Sequence, residues 1–539
     1  MAVDYISMLN AGSGLNTTQI VDALVDAERA PREEKIQAQV EEANVSISGL
    51  GKVKQGFSTL SSALDGLDGE TGLIATSSST AASVTITDKA LVSEQQISLE
   101  VSQLARSQTL VFDGFTSATD NVGTGSLNFE FGTWASGSFT ANSDISASSL
   151  TIASGADTLS EVRDQINAAN MGVTASIIQT GTGAFSLVLK SQTGADRAMR
   201  VTATESPAAS GLADIDFSTY DADEEAQSAQ NALFTLDGVS ISRNSNEIDD
   251  VMDGMRLNLS ATTSAPTLLT AKYDTATATA VMQLLVNELN TLNTSLNDLT
   301  ANGLDSGSER GALYGDSLVQ SYKNRLRALT TTPIAGFGAD PVYLTNFGIK
   351  TERNGTLTLD TAKFKTAFEA NPEQFAAIVN TQATTNNPSV KASISGDNFT
   401  PGSYAFAAVS GVGTVGSDAM TTGINSFVST TGDTSGLKLT TSASDITAQV
   451  YMGRSLVHDL SNFADLVLGS GNDIDRKIAT LNSDIDDRNL EISDLNARME
   501  DVRERYVKQF AAMEQAVKSL KETGSYIDSF MESWRAGQD

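Results

Sequence analysis

The stretch IDRKIATLNSDIDDRNLEISDLNARMEDVRERY, from Ile474 to Tyr506, decides the architecture of this 539-residue chain. Its apolar residues recur in alternating steps of three and four, which is the heptad spacing of a coiled coil. The seam consists of Ile474, Ile478, Leu481, Ile485, Arg488, Ile492, Leu495, Met499, Val502 and Tyr506. Arg488 is its one polar member, and it either extends to solvent or sets the register of helix association. The stretch predicts a long helix that needs a helical partner.

The heptad spacing changes after Tyr506. Two four-residue steps follow one another there, which is a stutter that relaxes a supercoil. The apolar positions beyond it are Phe510, Met513, Val517 and Leu520. We predict that this last segment packs differently from the preceding coiled coil and forms a C-terminal leg with assembly contacts at these four positions.

A matching short helix is predicted at the other end of the chain, in LNAGSGLNTTQIVDALVDAERAP from Leu9 to Pro31. Asn16 is a helix-capping residue, and Ile20 and Leu24 follow one helical face. Pro31 cannot donate a backbone hydrogen bond, so a break or a new first turn is expected there. We predict that Ile20 and Leu24 form assembly contacts and pair with the apolar residues beyond Tyr506, with the partners in other subunits.

Two further heptad seams lie nearer the N-terminus and in the middle of the chain. The first seam is Ile36, Val40, Ala43, Ile47, Leu50, Val53, Phe57, Leu60, Leu64 and Leu67, and the second is Met282, Leu285, Leu289, Leu292, Leu296 and Leu299. Each fully buried aliphatic side chain contributes about 1.5 to 3 kcal/mol, far more than a surface ion pair. Burial of the three seams therefore predicts one helical bundle built from the first, middle and last segments.

The sequence between the seams has the alternating pattern of β-strands. Ile97, Leu99 and Val101 alternate, and Asp237-Gly238 separates two further alternating runs as a hairpin turn. One helix interrupts this region, where Thr158 and Glu161 have the spacing of a capping box. A second insertion has the same Ser/Thr/Gly-rich composition. The predicted fold class is α+β, a coiled-coil bundle with inserted β-rich domains.

The seams and insertions together give a predicted division of the chain. It comprises a flexible N-terminal leg (1–35), the N-terminal part of the bundle (36–72), a β-rich insertion with one helix (73–272), the middle part of the bundle (273–385), a second β insertion (386–455), the C-terminal coiled coil (456–505) and a C-terminal leg (506–539).

Composition excludes several classes of partner. The chain has 35 Lys and Arg against 66 Asp and Glu, a net charge of −31, which repels nucleic acid and anionic lipid surfaces. No apolar run reaches the length of a membrane span, and the first basic residue is Arg29, so neither membrane insertion nor a cleaved secretory leader is expected. The absence of cysteine excludes disulfides and thiolate chemistry. It is consistent with export in an unfolded state through a narrow channel.

Residues for catalysis are scarce. The only histidine, His458, lies within a helical pattern and is interpreted as structural. Multi-histidine metal sites, the GxSxG nucleophile motif and the phosphate-binding loop are all missing from the sequence. We therefore predict no catalytic residue, no metal, no cofactor and no enzymatic activity. A glycosidase that uses paired carboxylates is a remote alternative.

Several stretches together resemble the flagellar filament cap family, hook-associated protein 2. They are GSGLNTTQIVDALVDAERAP (residues 12–31), SLEVSQLARSQTL (98–110), DTLSEVRDQINAANMGVTASI (157–177), LTNFGIKTERNGTLTLDTAKF (344–364) and QFAAMEQAVKSLKETGSYI (509–527). The third stretch is similar to a module shared with flagellins. Residues 386–451 show the least resemblance.

The resemblance implies a ring-like homo-oligomer, commonly a pentamer, at the extracellular tip of the bacterial flagellum. Its terminal helices would hold the open end of the filament, and its β domains would cover the channel. It would prevent flagellin from leaking out and would promote flagellin polymerisation. The implied partners are flagellin, the hook-associated junction proteins and an export chaperone that covers the C-terminal region.

Two alternatives remain open at this point. A flagellin or hook-filament junction subunit would share the terminal helices, although the stretch 344–364 argues against it. An extracellular adhesin would act through the β insertions, and adhesion could also coexist with a capping role.

Overall fold

The structure is a computed structural model, and it describes residues 14, 16–89, 91–207, 210–303, 309–423 and 425–536. The chain divides into two compact units. One unit joins the residues up to Asp68 with those from Thr279 onward, and the other runs from Gly69 to Ala278. The predicted α+β class is confirmed, since the first unit is built on long helices and the second on β-sheets.

The described helices have the following bounds: α1 (Thr17–Asp65), α2 (Leu159–Ala168), α3 (Thr275–Leu299), α4 (Ser317–Thr331), α5 (Thr361–Ala370), α6 (Ala376–Val379), α7 (Leu456–Leu468) and α8 (Asp473–Ala536).

Helix α1 begins as the sequence predicts. The Asn16 side chain accepts a hydrogen bond from the Gln19 backbone N–H at 3.2 Å, which confirms the predicted cap. The predicted break at Pro31 is wrong, because α1 continues through this residue to Asp65. The proline removes one backbone hydrogen bond, but α1 contacts α8 on both sides of it, through Asp22 and through Lys54. Of the predicted leg 1–35, residues 1–13 and 15 lie outside the described residues.

Helices α1 and α8 run antiparallel to one another. Arg503 of α8 contacts Asp22 near the start of α1, whereas Asp475 at the start of α8 contacts Lys54, with 2.8 Å between Oδ1 and Nζ. The three aromatic rings of Phe57, Tyr322 and Phe463 meet edge to face, with centroids 5.3–5.8 Å apart, and so join α1, α4 and α7. The predicted bundle of first, middle and last segments is present.

A short hairpin belongs to the same unit. Its strands are β17 (Ile349–Thr351) and β18 (Leu357–Leu359), which pair antiparallel. The Asn290 amide of α3 donates to the Leu357 carbonyl at 2.8 Å and its oxygen accepts from the Leu357 N–H at 2.7 Å. The hairpin is thereby fixed against α3, and its turn comes from the stretch 344–364 singled out above.

The second unit contains a β domain nested within another. The strands are β1 (Leu73–Ser77), β2 (Ala82–Ile86), β3 (Gln95–Gln103), β4 (Ser107–Phe115), β5 (Gly125–Ala135), β6 (Ser138–Ala141), β7 (Ser148–Ile152), β8 (Val173–Gly181), β9 (Ala184–Thr193), β10 (Ala198–Glu205), β11 (Glu225–Gln227), β12 (Ala232–Leu236), β13 (Val239–Arg243), β14 (Glu247–Ile248), β15 (Met255–Leu259) and β16 (Thr267–Tyr273).

The outer β domain, which we call the split β domain, is formed by β1 to β3 and β12 to β16. Its sheets have the orders β1-β16-β3-β12-β13 and β14-β15-β2, and they enclose one apolar core. Asp237 and Gly238 have positive φ angles of 47° and 81° between β12 and β13, which confirms the predicted hairpin turn.

The nested β domain lies between β3 and β12 in the chain. Its sheets have the orders β10-β5-β6, with β7 also on β5, and β11-β4-β9-β8. Helix α2 completes its core with Leu159, Val162 and Ile166. The capping box of Thr158 and Glu161 is confirmed. Arg106 and Gln230 exchange two backbone hydrogen bonds where the chain enters and leaves this domain.

The second β insertion belongs to the first unit and has a core of its own. Its strands are β19 (Gln382–Thr385), β20 (Val390–Ile394), β21 (Gly402–Val409), β22 (Val412–Val415), β23 (Asp418–Ala419), β24 (Thr421–Gly423), β25 (Ser426–Val428), β26 (Leu437–Thr441) and β27 (Ile446–Gly453). They form two sheets in the orders β19-β27-β21-β22-β23 and β20-β26-β25-β24, with Phe406 and Phe427 in contact between them.

Candidate assembly site

The first turns of α1 meet the second half of α8 in a small apolar cluster. Val21 and Val25 of α1 are buried against Leu495 and Met499 of α8. Four partly buried residues of α8 extend the cluster: Val502, Tyr506, Val507 and Phe510. Val21 and Val25 are four residues apart, so they lie on one face of the helix and place that face against α8. The start of α1 is thereby packed within the chain itself.

A charged contact borders the cluster. Arg503 donates from Nη2 and Nε to Asp22 Oδ1, at 2.8 and 3.2 Å. The hydrogen bond to Asp22 raises the pKa of the Arg503 guanidinium above its ordinary value. Both side chains are about half exposed, so the pair orients the helices more than it stabilises them.

The structure places the predicted contacts of α1 beside this cluster rather than in it. Ile20 is half-buried and Leu24 is 40% exposed, and the residues that contact α8 are Val21 and Val25, one position further along. Within one chain Ile20 and Leu24 are not members of this cluster, so their pairing with the residues beyond Tyr506 of other subunits stays a prediction. All four residues are apolar, so the sequence shows two overlapping stripes, and the position of α8 selects the second.

The predicted contact residues of α8 are also more exposed than the buried residues of a coiled-coil seam. Phe510 joins the cluster and Val517 is half-buried, but Met513 is 39% exposed and Leu520 is 71% exposed. The buried positions beyond Phe510 are instead Ala511 and Glu514. Met513 and Leu520 therefore lie outside the contact with α1 of the same chain, and their role as assembly contacts with other subunits stays a prediction. They lie outside it because the described part of α1 begins level with this region of α8.

The last turns of α8 have an exposed apolar face, of which the sequence analysis identified only Leu520. We call it the tail face, and it consists of Leu520, Tyr526, Ile527, Phe530, Met531 and Trp534. At about 100° per residue, these six positions fall within an arc of about 140°. Lys518, Lys521, Glu522, Asp528 and Glu532 lie on the rest of the helix circumference. The spacing of Tyr526, Phe530 and Trp534 at four-residue intervals is the signal that could have identified it.

Other predicted seam residues lie in the helical unit at different depths. Leu285, Leu289, Leu495 and Met499 are buried, whereas Ile36, Val40, Ile47, Ile485, Arg488 and Ile492 are half-buried. The Arg488 guanidinium contacts Glu491 of its own helix at 2.6 Å and faces a cleft that Gln39 and Glu42 of α1 also line. The seam between α1 and α8 is thus only half-buried in its middle, whereas Leu495 and Met499 are buried.

The described residues contain no group of three or more His, Asp or Glu side chains placed to hold a metal ion. His458 lies in α7, with its Nε2 3.2 Å from Asp397 Oδ1 in the second β insertion. Among the described helices, none combines the length and the apolar character needed to cross a bilayer.

Comparison with protein-family models gives three matches. The model of the flagellar hook-associated protein 2 C-terminus matches residues 229–522, and that of its N-terminus matches residues 13–108. The flagellin hook IN motif matches residues 138–193, which contain α2 and its capping box.

Curated relatives agree with these matches. Flagellar hook-associated protein 2 of Escherichia coli O157:H7 is 28% identical over 383 residues, which are 69% of this chain and 80% of the relative. A-type flagellar hook-associated protein 2 of Pseudomonas aeruginosa is 28% identical over 390 residues, 68% of this chain and 78% of the relative. The crystal structure of the D1-D2-D3 domains of the flagellar cap protein FliD from Escherichia coli is 28% identical. The alignment with that structure covers 62% of this chain and 90% of the FliD chain, with a TM-score of 0.49.

The first of the three family models spans more than half of the chain, and the order of the N-terminal and C-terminal models agrees with the order of the terminal helices. The chain therefore belongs to the flagellar hook-associated protein 2 family, the flagellar filament cap proteins.

Proposed function

We propose that this protein caps the distal tip of the flagellar filament, prevents flagellin from leaking out and promotes its polymerisation as the filament elongates. The exposed tail face of α8, in a chain of this family, is the observation that supports an attachment role for the terminal helices. A soluble chain seldom leaves a continuous stripe of aromatic and aliphatic side chains exposed unless a partner covers it.

The partner surface for the tail face is the open end of the filament and the neighbouring subunits of the cap. Full burial of one large apolar side chain contributes about 1.5 to 3 kcal/mol. Burial of the six side chains of the tail face would therefore contribute a large favourable free energy of binding. Part of that free energy offsets the entropic cost of ordering the helices on binding. Contacts of this kind, made and broken one subunit at a time, allow the cap to move as each flagellin is added.

The proposed assembly is a homo-oligomer, a pentamer by family resemblance, that contacts flagellin and the hook-associated junction proteins outside the cell. The predicted contacts Ile20, Leu24, Phe510, Met513, Val517 and Leu520 belong to this proposal. The half-exposed state of Leu24 and Met513 in the single chain leaves them accessible to other subunits. An export chaperone would cover the exposed apolar end of α8 before assembly.

The role requires no covalent chemistry, since the work is the exchange of one set of contacts for another. The family match supports capping over the adhesin considered above, and no observation on the β domains favours adhesion. The nearest sibling, a flagellin, shares the hook IN module at residues 138–193, whereas the models that match both ends of this chain are those of hook-associated protein 2.

A strain that lacks the gene tests the proposal. We expect stunted filaments and monomeric flagellin in the culture medium, both reversed when the gene is restored. Filaments of normal length with no released flagellin would overturn the capping role.

A further inference from the structure

A cavity of about 210 Å³ lies in the helical unit, between α3, α4 and the turn that joins β17 to β18. Its floor contains Leu289 of α3, Leu326 of α4 and Leu357 of the hairpin, all buried. The rim is polar and positively charged. The cavity is separate from the cluster of Val21 and Val25 and from the tail face of α8.

The turn is held rigidly over the cavity by side chains of both helices. Asn293 and Asn297 of α3 both donate to the Asn354 carbonyl, at 3.1 and 3.2 Å. Arg327 of α4 donates to the Arg353 carbonyl at 3.2 Å. Gly355 has φ of +87° and packs close to the Asn293 amide, so the turn itself requires glycine there. The backbone of the turn is therefore fixed over the cavity.

Three cations converge on the cavity: Lys323 and Arg327 from α4 and Arg353 from the turn. Within the part of the chain that the structure describes, no ion pair joins any of them to a carboxylate. Lys323 instead donates to the Thr300 hydroxyl at 2.8 Å, and burial lowers the pKa of its ammonium below the ordinary value. A partly desolvated cation without a counter-charge is unfavourable, and an anion in the cavity would relieve that cost.

We propose that this cavity binds an acidic side chain of a second copy of the chain and is a contact between subunits of the cap. The cavity is large enough to admit a carboxylate and its methylene groups, and the guanidinium and ammonium groups are the donors that carboxylates prefer. Asn324 and Gln320 add amide groups at the rim.

A second copy is the occupant that the charge of the chain favours. With 66 acidic residues and a net charge of −31, two copies repel one another at long range unless local cations meet carboxylates. Three cations grouped at one rigid site provide such a contact and fix the register of neighbouring subunits. This inference does not depend on the assignment of the terminal helices to attachment.

Self-association of the purified full chain tests the proposal. The variant combines Lys323→Gln, Arg327→Gln and Arg353→Gln. The control combines Lys365→Gln, Lys391→Gln and Lys438→Gln, which removes the same charge from exposed positions elsewhere in the same unit. Sedimentation velocity over a concentration series measures the dissociation constant of each. We expect the cavity variant to raise it about tenfold or more and the control to leave it within about twofold.

Cross-linking identifies the occupant. Carbodiimide joins an amine to a carboxylate in contact with it, so a mixture of ¹⁵N-labelled and unlabelled chains distinguishes contacts between copies from contacts within one. We expect cross-linked peptides in which Lys323 of a chain with one isotope is joined to an Asp or Glu of a chain with the other. Equal dissociation constants for wild type and cavity variant, a wild-type chain that does not self-associate, or Lys323 joined only within its own chain would each overturn the proposal.

Discussion

Arg503 and Asp22 are separated by 481 positions in the sequence, yet the Arg503 Nη2 lies 2.8 Å from Asp22 Oδ1. This contact brings the start of α1 and the C-terminal half of α8 together beside the buried Val21 and Val25. The first turns of α1 and the second half of α8 thus pack together within one chain.

The apolar cluster should stabilise this pairing more than the charged contact does. We expect Val21→Ala to lower the local free energy of unfolding by about 1 to 3 kcal/mol, because it removes buried methyl groups and leaves a cavity. Asp22→Asn should lower it by about 0 to 1 kcal/mol, since the ion pair is half exposed. Native-state hydrogen exchange of the first α1 amides measures both. A larger loss for Asp22→Asn would contradict this ranking.

Pro31 should limit the stability of α1 near its middle. The residue is exposed and lies inside the helix, where it removes a backbone hydrogen bond. We expect Pro31→Ala to raise the local free energy of opening by up to about 3 kcal/mol, seen as slower amide exchange in the adjoining turns. Unchanged exchange on both sides of residue 31 would show that the proline causes no local weakness.

Two glycines of α1 make a matched pair. Gly51 is exposed with open space at its Cβ position, so Gly51→Ala should stabilise the helix by about 0.5 to 1 kcal/mol. A Cβ on Gly49 would lie 2.9 Å from Leu313 Cγ and 3.2 Å from Ala312 Cβ. Gly49→Ala should therefore destabilise the unit by overpacking, by about 1 to 3 kcal/mol. The midpoint of the helical signal in denaturant gives the sign of each change, and equal signs would contradict the close approach at Gly49.

The contact between α1 and α8 at Asp475 should be lost in acid. The hydrogen bond from Lys54, followed by that from the Gly471 N–H, lowers the pKa of the Asp475 carboxyl below its ordinary value. Its contribution to stability is therefore complete above the unfolded pKa of about 3.9 and is lost as the pH falls through the folded pKa. Asp475→Asn should be less stable than wild type at neutral pH, and the difference should close below about pH 4.

Denaturant unfolding at several pH values measures that difference. Asp494→Asn, at an exposed position of the same helix, is the control and should stay near wild type at neutral pH. A difference for Asp475→Asn that is constant from neutral pH to pH 3 would contradict the proposed cause.

The sequence specifies the bundle well because heptad positions report burial directly. Leu285 and Leu289, chosen only by spacing, lie buried in α3. Local capping signals also identify helix ends, as at Asn16 and Thr158. These features depend on residues a few positions apart, so a single segment of sequence is enough to predict them.

The sequence does not predict features that depend on a distant segment. Pro31 remains helical because α8 packs on both sides of it, and Val21 rather than Ile20 faces α8 because two apolar stripes overlap in α1. The three cations around the cavity come from α4 and a hairpin turn, and only the tertiary fold brings Lys323 and Arg353 to one rim.

Attachment of the cap through the tail face is tested most directly in the gene-deleted strain. It is restored with wild type, with a variant that combines Leu520→Asp and Ile527→Asp, or with Leu490→Asp, which changes a 64% exposed leucine elsewhere on α8. The measurement is the ratio of monomeric flagellin in the medium to flagellin in filaments. The account predicts a ratio near that of the deletion for the tail variant and near wild type for Leu490→Asp. A tail variant that restores long filaments without released flagellin would contradict it.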